Sequence, residues 1–476
     1  MSARRWAAYV AGAWCETDDA RELFAPFDQR HFATVSLCGP RELEAAIDGA
    51  ARSFAATRAL PGYRRADICR AIAAGLAAQK SDFVEGMIDE CGKPIADARA
   101  EVDRAVHCFE LAAEEATRVV GAGDVLPFDV RPSGVGRVAF TRRFPMGPVA
   151  AIAPFNFPLN LAVHKIAPAI ATGCPVVLKP ATQTPTSTLR LAEIIDKTDW
   201  PKGALSVVPA TRAAADVLTT DERFSLLTFT GSPEVGWSMK ARAGKKRVVL
   251  ELGGNAAVVV DASADIDAAI PKLVYGAFSH SGQKCISVQR IYVHQDIFDI
   301  FTERLIAATR ALAIGDPREE GVLVGPMIDE ANARRVEEWI GEAVARGARV
   351  LVGGARRGTI IPPTILTDVP PSARVACDEI FGPVCLVERV PDFATGVARA
   401  DDSRYGLQAG VFTRDLAAAL SAFERLTVGA VIINDAPSYR VDHMPYGGVK
   451  DSGFGREGIR SAAMDMTEEK LLVISH

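Results

Sequence analysis

Hydrophobic positions recur at spacings of three and four through the first quarter of the chain. Arg41–Phe54, Ala66–Gln79 and Ala96–Thr117 carry this pattern, are rich in alanine, and predict three amphipathic helices. The third opens just beyond Pro94, a residue type that favours helix entry. From Val149 the texture changes. Brief apolar runs at Val149–Ala153, Val176–Leu178, Leu205–Val208, Leu226–Phe229 and Val248–Leu250 alternate with helical stretches. Those stretches lie near Leu161–Thr172, Thr186–Asp196, Arg212–Leu218 and Glu234–Ala243. Such alternation predicts a parallel sheet with helices on its faces. Runs without regular polar alternation fit strands buried on both sides.

A second alternating block extends from Glu251 to Asp435. It predicts helices near Ile266–Ala277, Ile297–Leu312 and Glu330–Arg346, and strands at Ile291–Val293, Val384–Arg389 and Ala430–Asn434. Two segments stand apart. Gly136–Phe144 alternates apolar and polar residues after a turn-like Pro132-Ser133-Gly134, and Leu471–Ser475 is also strand-like. Each is either an ordinary edge strand or a strand that completes a sheet on another subunit.

At 476 residues the chain exceeds one compact domain. Its 49% hydrophobic and 24% charged residues are those of a folded globular protein. The net charge of −5 points away from a nucleic-acid or membrane surface. The N-terminus lacks the apolar core of a signal peptide. The longest uncharged run, Met146 to Val163, is broken by Pro148, Pro154 and Pro158 and is no membrane span. Nine cysteines without a CxxC pair argue against a zinc framework and for reduced thiols, so a cytoplasmic protein without a metal site is expected.

Neither GxGxxG nor a Walker A motif occurs. Unusual residues instead follow predicted strands: Ala153-Pro-Phe-Asn-Phe-Pro158, Val177-Leu-Lys-Pro180 and Phe229-Thr-Gly-Ser232. Ligands of α/β sheets bind at these carboxyl ends. Gly231 and Ser232 open a helix, which suits a phosphate or merely a turn. Cys285 follows a small polar stretch and adjoins Lys284, a neighbour expected to lower the thiol pKa. The other eight cysteines read mostly as packing residues. Glu251 ends a strand-like run before two glycines, where a carboxylate serves as a base or simply faces solvent.

Seven motifs in order resemble the NAD(P)-dependent aldehyde dehydrogenase superfamily. They are PFNFP at 154–158, LKP at 178–180, FTGS at 229–232, ELGG at 251–254, SGQKC at 281–285, EIFGP at 379–383 and PYGGVKDSGFGREG at 445–458. The resemblance implies an α/β fold: a Rossmann-like cofactor domain, an α/β catalytic domain and a small oligomerisation β-sheet. The expected division is 1–120 and 146–252 for the cofactor domain, 253–450 for the catalytic domain, and 121–145 with 451–476 for oligomerisation. A homodimer or homotetramer follows. Glu468 and Lys470 resemble a structural pair near that interface.

The resemblance also implies a mechanism. Cys285 would attack the aldehyde carbon, with the Asn156 amide and the Cys285 N–H holding the oxyanion. Hydride would pass to the nicotinamide, and Glu251 would activate water to hydrolyse the thioester. Lys179 would meet the adenosine ribose, Gly231 and Ser232 the pyrophosphate, and Glu379 and Phe381 the nicotinamide half. NAD-preferring members often carry Glu three residues after the lysine. Thr182 stands there, so NADP is expected alongside NAD. Glu457 matches either a second proton-relaying acid or a structural ion-pair partner.

For the substrate, Arg104 and Arg440 resemble positions where members acting on phosphorylated, phosphonylated or carboxylated aldehydes hold the acid group. Guanidinium forks suit such oxyanions. Lys284 adds a third charge, and His443 lies on the same loop as Arg440. The bland reading places Arg104 on a solvated helix face and pairs Arg440 with Asp442 or Asp435. A small anionic aldehyde is expected; the alternatives are lactaldehyde or general aliphatic aldehydes, or a catalytically silent binding protein on this fold.

Overall fold

The computed structural model describes residues 3–475. Its centre is an eight-stranded sheet built on five parallel strands in the order Arg247–Glu251, Leu226–Thr230, Val149–Ile152, Val176–Lys179, Leu205–Val207. Antiparallel strands flank it: Gly453–Phe454 on one side, Ala8–Val10 and Ala13–Cys15 on the other. The strand order reverses beside Val149–Ile152, which lies between Leu226–Thr230 and Val176–Lys179. At such a reversal the flanking connections leave toward opposite faces and open a crevice at the carboxyl ends.

Register lines that crevice with chemistry. Ile152 pairs with Lys179, and Thr230 pairs with Glu251. The helix Asn160–Thr172 starts just beyond the PFNFP segment and is buried along its whole length. It packs against the long helix Ile95–Arg118, one of the three predicted from spacing. A further helix, Lys80–Cys91, falls where no pattern was read, because Gln79 is the only residue between it and Gly62–Ala78. The predicted helix Arg212–Leu218 is instead a 3₁₀ turn at Ala214–Asp216 followed by Val217–Thr220.

A second sheet has seven strands in the order Arg349–Val352, Thr364–Thr367, Val384–Val390, Val288–His294, Ala256–Val260, Gln408–Phe412, Ala430–Ile433. All neighbours are parallel except the first pair. Each sheet has its own apolar clusters. The two odd segments pair with one another: Arg137–Pro145 runs antiparallel to Thr467–Ser475 over nine positions, with Val125–Leu126 alongside. A last small sheet joins Arg4–Trp6, His31–Ser36 and Ala20–Phe24.

All nine cysteines are free. Six are buried, as expected for packing residues, but Cys377 is exposed at the end of the short helix Arg374–Cys377. Among the described residues no helix is long and apolar enough to cross a membrane.

Candidate active site

Two cavities meet at one place. A cleft of about 890 Å³ runs along the carboxyl ends of the first sheet. A second cavity of about 530 Å³ lies between that sheet and the loop before Val288–His294. Asn156, Glu251 and Cys285 line both. Asn156 leaves the loop after Val149–Ile152, Glu251 ends Arg247–Glu251, and Cys285 follows the 3₁₀ turn Ser279–Gly282. The approach is close because Gly254 has no side chain: a Cβ there would lie 2.3 Å from the Cys285 carbonyl oxygen.

Glu251 is 3% exposed, and neither carboxylate oxygen has a hydrogen-bond partner. Burial, aided by the charge on Glu457, pushes its carboxyl well above the usual range. An unspent, proton-hungry carboxylate is what a general base requires. Glu457 is different. Its carboxylate accepts from Arg440 at 2.7 Å and lies 3.7 Å from Lys165 Nζ. Burial opposes the charge, but His164, Arg440 and Lys165 together draw Glu457 down to about 2. Of its two expected readings, the geometry matches the ion pair.

Cys285 is partly buried, and burial pushes its thiol up to about 12. The expected lowering by Lys284 does not occur. Lys284 turns its ammonium to the Ser279 hydroxyl and to the Tyr275 carbonyl at 3.4 Å. The thiol's contact is Tyr446, whose hydroxyl lies 3.0 Å from Sγ. Asn156 Nδ2 donates to the Gln283 carbonyl at 2.9 Å.

All six expected cofactor residues line the first cleft: Lys179, Thr182, Gly231, Ser232, Glu379 and Phe381. Lys179 is 8% exposed, and its ammonium donates only to the Pro180 carbonyl at 3.0 Å. Burial and the nearby Arg212 push it down to about 8. Ser232 stands at the N-cap position of the helix Pro233–Arg242 without a side-chain bond, and this helix start lines the cleft. Glu379 accepts from the Gly254 N–H at 2.9 Å, and Phe381 packs edge-on against Phe155 at 5.7 Å.

The second cavity brings together Arg104, Lys284 and Arg440. Arg104 grips Asp442 through two bonds, of 3.1 and 2.6 Å, so it is not free, although its side chain stays 28% exposed. Arg440 pairs with Glu457 and not with Asp442 or Asp435. Its Nε is buried without a partner, and its guanidinium lies over the Tyr446 ring at 3.8 Å. His443 is exposed and does not line the cavity, because the chain turns outward after buried Asp442. Glu468 pairs with Arg247 at 2.7 Å, while Lys470 lies over the Phe144 ring at 5.1 Å, so the expected Glu468–Lys470 pair is replaced. The ligating atoms of Cys108, His164 and Asp442 fall within 4.8 Å of one another. Arg104 and Arg440 crowd that group, which opposes a bound cation.

Sequence reading missed Lys165, Arg212, Asp442 and Tyr446 as contributors. Lys165 carried a signal: His164-Lys165 is a polar pair inside the otherwise apolar Leu161–Ala171. Arg212 carried none.

The profile of the aldehyde dehydrogenase family matches residues 14–472. The 3-sulfolactaldehyde dehydrogenase of Priestia aryabhattai is 41% identical over 473 residues, covering 99% of this chain and 98% of the relative. Aldehyde dehydrogenase 21 from Physcomitrella patens, solved in complex with the reaction product succinate, superposes with a TM-score of 0.97. It is 44% identical, with 100% of this chain and 99% of that one covered. The NADP-dependent glyceraldehyde-3-phosphate dehydrogenase from Bacillus halodurans C-125, complexed with NADP, gives a TM-score of 0.96 at 34% identity, with 99% of each chain covered. With Cys285, Glu251 and Asn156 gathered where two cavities meet, the chain belongs to the aldehyde dehydrogenase family.

Proposed function

We propose that this enzyme oxidises a short aldehyde with a distal acid group, a phosphonate, phosphate, sulfonate or carboxylate, to the carboxylic acid, using NADP or NAD. The observation that carries the reading is Arg440, which lines the second cavity with Cys285, Arg104 and Lys284 and, although paired with Glu457, keeps one buried donor unspent. The buried Nε of Arg440 is a donor without an acceptor, and an acid oxygen would satisfy it. The relatives support this, one being named for sulfolactaldehyde and another solved with succinate.

Cys285 gives its proton to Glu251, which passes it to solvent before the hydrolytic step, and the sulfur adds to the aldehyde carbon, moving the carbonyl electron pair onto oxygen. Asn156 Nδ2 and the Cys285 N–H, which takes no partner among the described residues, stabilise that oxyanion. A nicotinamide cofactor in the first cleft supplies the hydride acceptor. The thioester left on Cys285 is then attacked by water, whose proton passes to Glu251, and cleavage of the C–S bond restores the thiolate. Hydrolysis makes the overall oxidation irreversible in practice.

The cleft fits such a cofactor. Lys179 is a buried cation with one neutral acceptor, beside Thr182 and the exposed Arg212. No carboxylate at 182 repels a 2′-phosphate, so NADP is accepted. The domain division is likewise a proposal. Strands between 149 and 251, with 8–15 and with 453–454 from the expected oligomerisation segment, form the first sheet, strands between 256 and 433 the second, and 125–145 with 467–475 the small one. Free thiols suit a cytoplasmic setting.

The experiment is an aldehyde panel of phosphonoacetaldehyde, glyceraldehyde 3-phosphate, succinic semialdehyde, lactaldehyde and propanal, run with NAD and NADP on wild type and Arg440→Ala. The expected preference for one anionic member over propanal falls about 10- to 100-fold in Arg440→Ala, the worth of a charged hydrogen bond. Equal losses on all aldehydes remove the anionic reading. Turnover with NAD and none with NADP removes the cofactor reading.

A further inference from the structure

Two consecutive residues upstream of the nucleophile occupy the left-handed backbone region, His280 at φ +50° and Ser281 at φ +55°. Residues other than glycine rarely sit there, and strained pairs persist only where the surroundings impose them. The surroundings do so here. Ser281 Oγ donates to the Gly325 carbonyl at 2.8 Å, and a Cβ on Gly282 would lie 2.1 Å from the Gly382 carbonyl oxygen. The distortion places His280 in the wall of the aldehyde cavity, together with Asn156 and Cys285.

His280 is 1% exposed, and neither ring nitrogen has a hydrogen-bond partner. Nearby polar groups are already committed. The Asn156 carbonyl comes near the ring without forming a hydrogen bond and accepts instead from Lys93 at 2.7 Å. Lys284 is turned to Ser279 and Tyr275. Phe157 packs edge-on against the imidazole at 6.0 Å. Burial, with Lys93 and Lys284 close by, holds the imidazole far below its ordinary pKa, so it stays neutral with one N–H and one lone pair.

We infer that His280 is a specificity-determining residue whose imidazole hydrogen-bonds an oxygen on the aldehyde's own chain, either a hydroxyl beside the carbonyl or an oxygen of the distal acid group. An alkyl chain would leave both nitrogens desolvated and unpartnered. A site built to hydrogen-bond a substrate oxygen discriminates strongly against the analogue lacking it. Only the acid-group arm rests on the anionic function proposed above; the hydroxyl arm does not.

Two substrate pairs isolate the two oxygens: lactaldehyde against propanal, and succinic semialdehyde against butanal. The kcat/KM ratio within each pair is measured for wild type, His280→Gly and His280→Asn. Glycine adopts positive φ freely and removes the ring, whereas asparagine tolerates it and keeps a donor and an acceptor. In His280→Gly at least one ratio falls tenfold or more, and His280→Asn recovers part of the loss. The ratio that falls identifies the oxygen. If both ratios in His280→Gly stay within twofold of wild type, the ring is serviced by water and the inference is wrong. Arg440→Ala in the same assay separates the two ideas. An unchanged semialdehyde ratio there defeats the anionic reading, and the lactaldehyde ratio still judges His280.

Discussion

The phenolic oxygen of Tyr446 lies 3.0 Å from the sulfur of Cys285, although 161 residues separate them. Tyr446 is buried, and burial holds its phenol protonated far above the ordinary range, so the hydroxyl is the donor whenever Cys285 is a thiolate. Arg440 stacked on the ring fixes its orientation. A donor on sulfur favours the thiolate and opposes the burial that pushes the thiol up to about 12. Tyr446→Phe keeps the ring and removes only the donor. Alkylation of Cys285 by iodoacetamide, followed against pH, should then slow about tenfold near pH 8, with the thiol titrating higher. Superimposable alkylation profiles would show that Tyr446 only packs.

Behind Asn156, the proposed oxyanion donor, stands a fully buried ion pair, Lys93 with Glu101. Lys93 Nζ also donates to the Asn156 carbonyl at 2.7 Å and lies 3.8 Å from the Phe157 ring centroid. The other Glu101 oxygen accepts from the N–H groups of Leu159 and Asn160, at 3.0 Å each. The pair therefore clamps both ends of the loop that carries Asn156. Lys93→Met leaves a buried carboxylate unpaired, at about 3–5 kcal/mol of stability. Its kcat should fall more than tenfold with KM little changed. Adding Asn156→Ala to Lys93→Met should cost far less than Asn156→Ala alone. Additive losses in this double-mutant cycle would reduce the pair to a purely structural role.

The proposal that this chain self-associates rests on uncovered apolar surface. In Thr467–Ser475 the successive residues Leu471, Leu472, Val473 and Ile474 are all 40–49% exposed. Neighbours on a strand point to opposite faces, so both faces of that ribbon are bare. Leu416, Leu420 and Phe423 form a second exposed stripe, on the helix Leu416–Arg425 beside the edge strand Ala430–Ile433. Exposed strands and apolar stripes of this kind are covered in native assemblies. Sedimentation velocity at micromolar concentration should give a dimer or tetramer, and Leu472→Asp with Ile474→Asp should shift it toward monomer. A wild-type monomer would end the proposal.

The five parallel strands around the first cleft were legible because each is a short apolar run, four of them ending in chemically unusual residues. Asn156 and Glu251 stood out as such residues at strand ends, and Cys285 for the small polar stretch and the lysine before it. Gln408–Phe412 escaped notice because Gln408 and Gly410 break the apolar pattern. Its side-chain amide is spent internally, on the Pro437 and Tyr439 carbonyls, and Gly410 admits Pro437. The partners of Arg104 and Arg440 were illegible for a different reason. Asp442 and Glu457 reach them through tertiary packing, and several acidic neighbours were equally plausible in sequence. His443 shows the cost of judging a loop by proximity: one residue separates buried Asp442 from open solvent.

Glu251 closes a strand of one sheet, and Cys285 leads into a strand of the other. Each sheet keeps its own packed interior, and the two touch backbone to backbone at Gly254. The proposed base and nucleophile are thus aligned by the docking of two sheets, each with its own core. A slip of a fraction of an ångström along that seam separates them without unfolding either half. Loosening costs less free energy than global melting, so activity is the first property this chain loses as temperature rises, while both sheets remain intact.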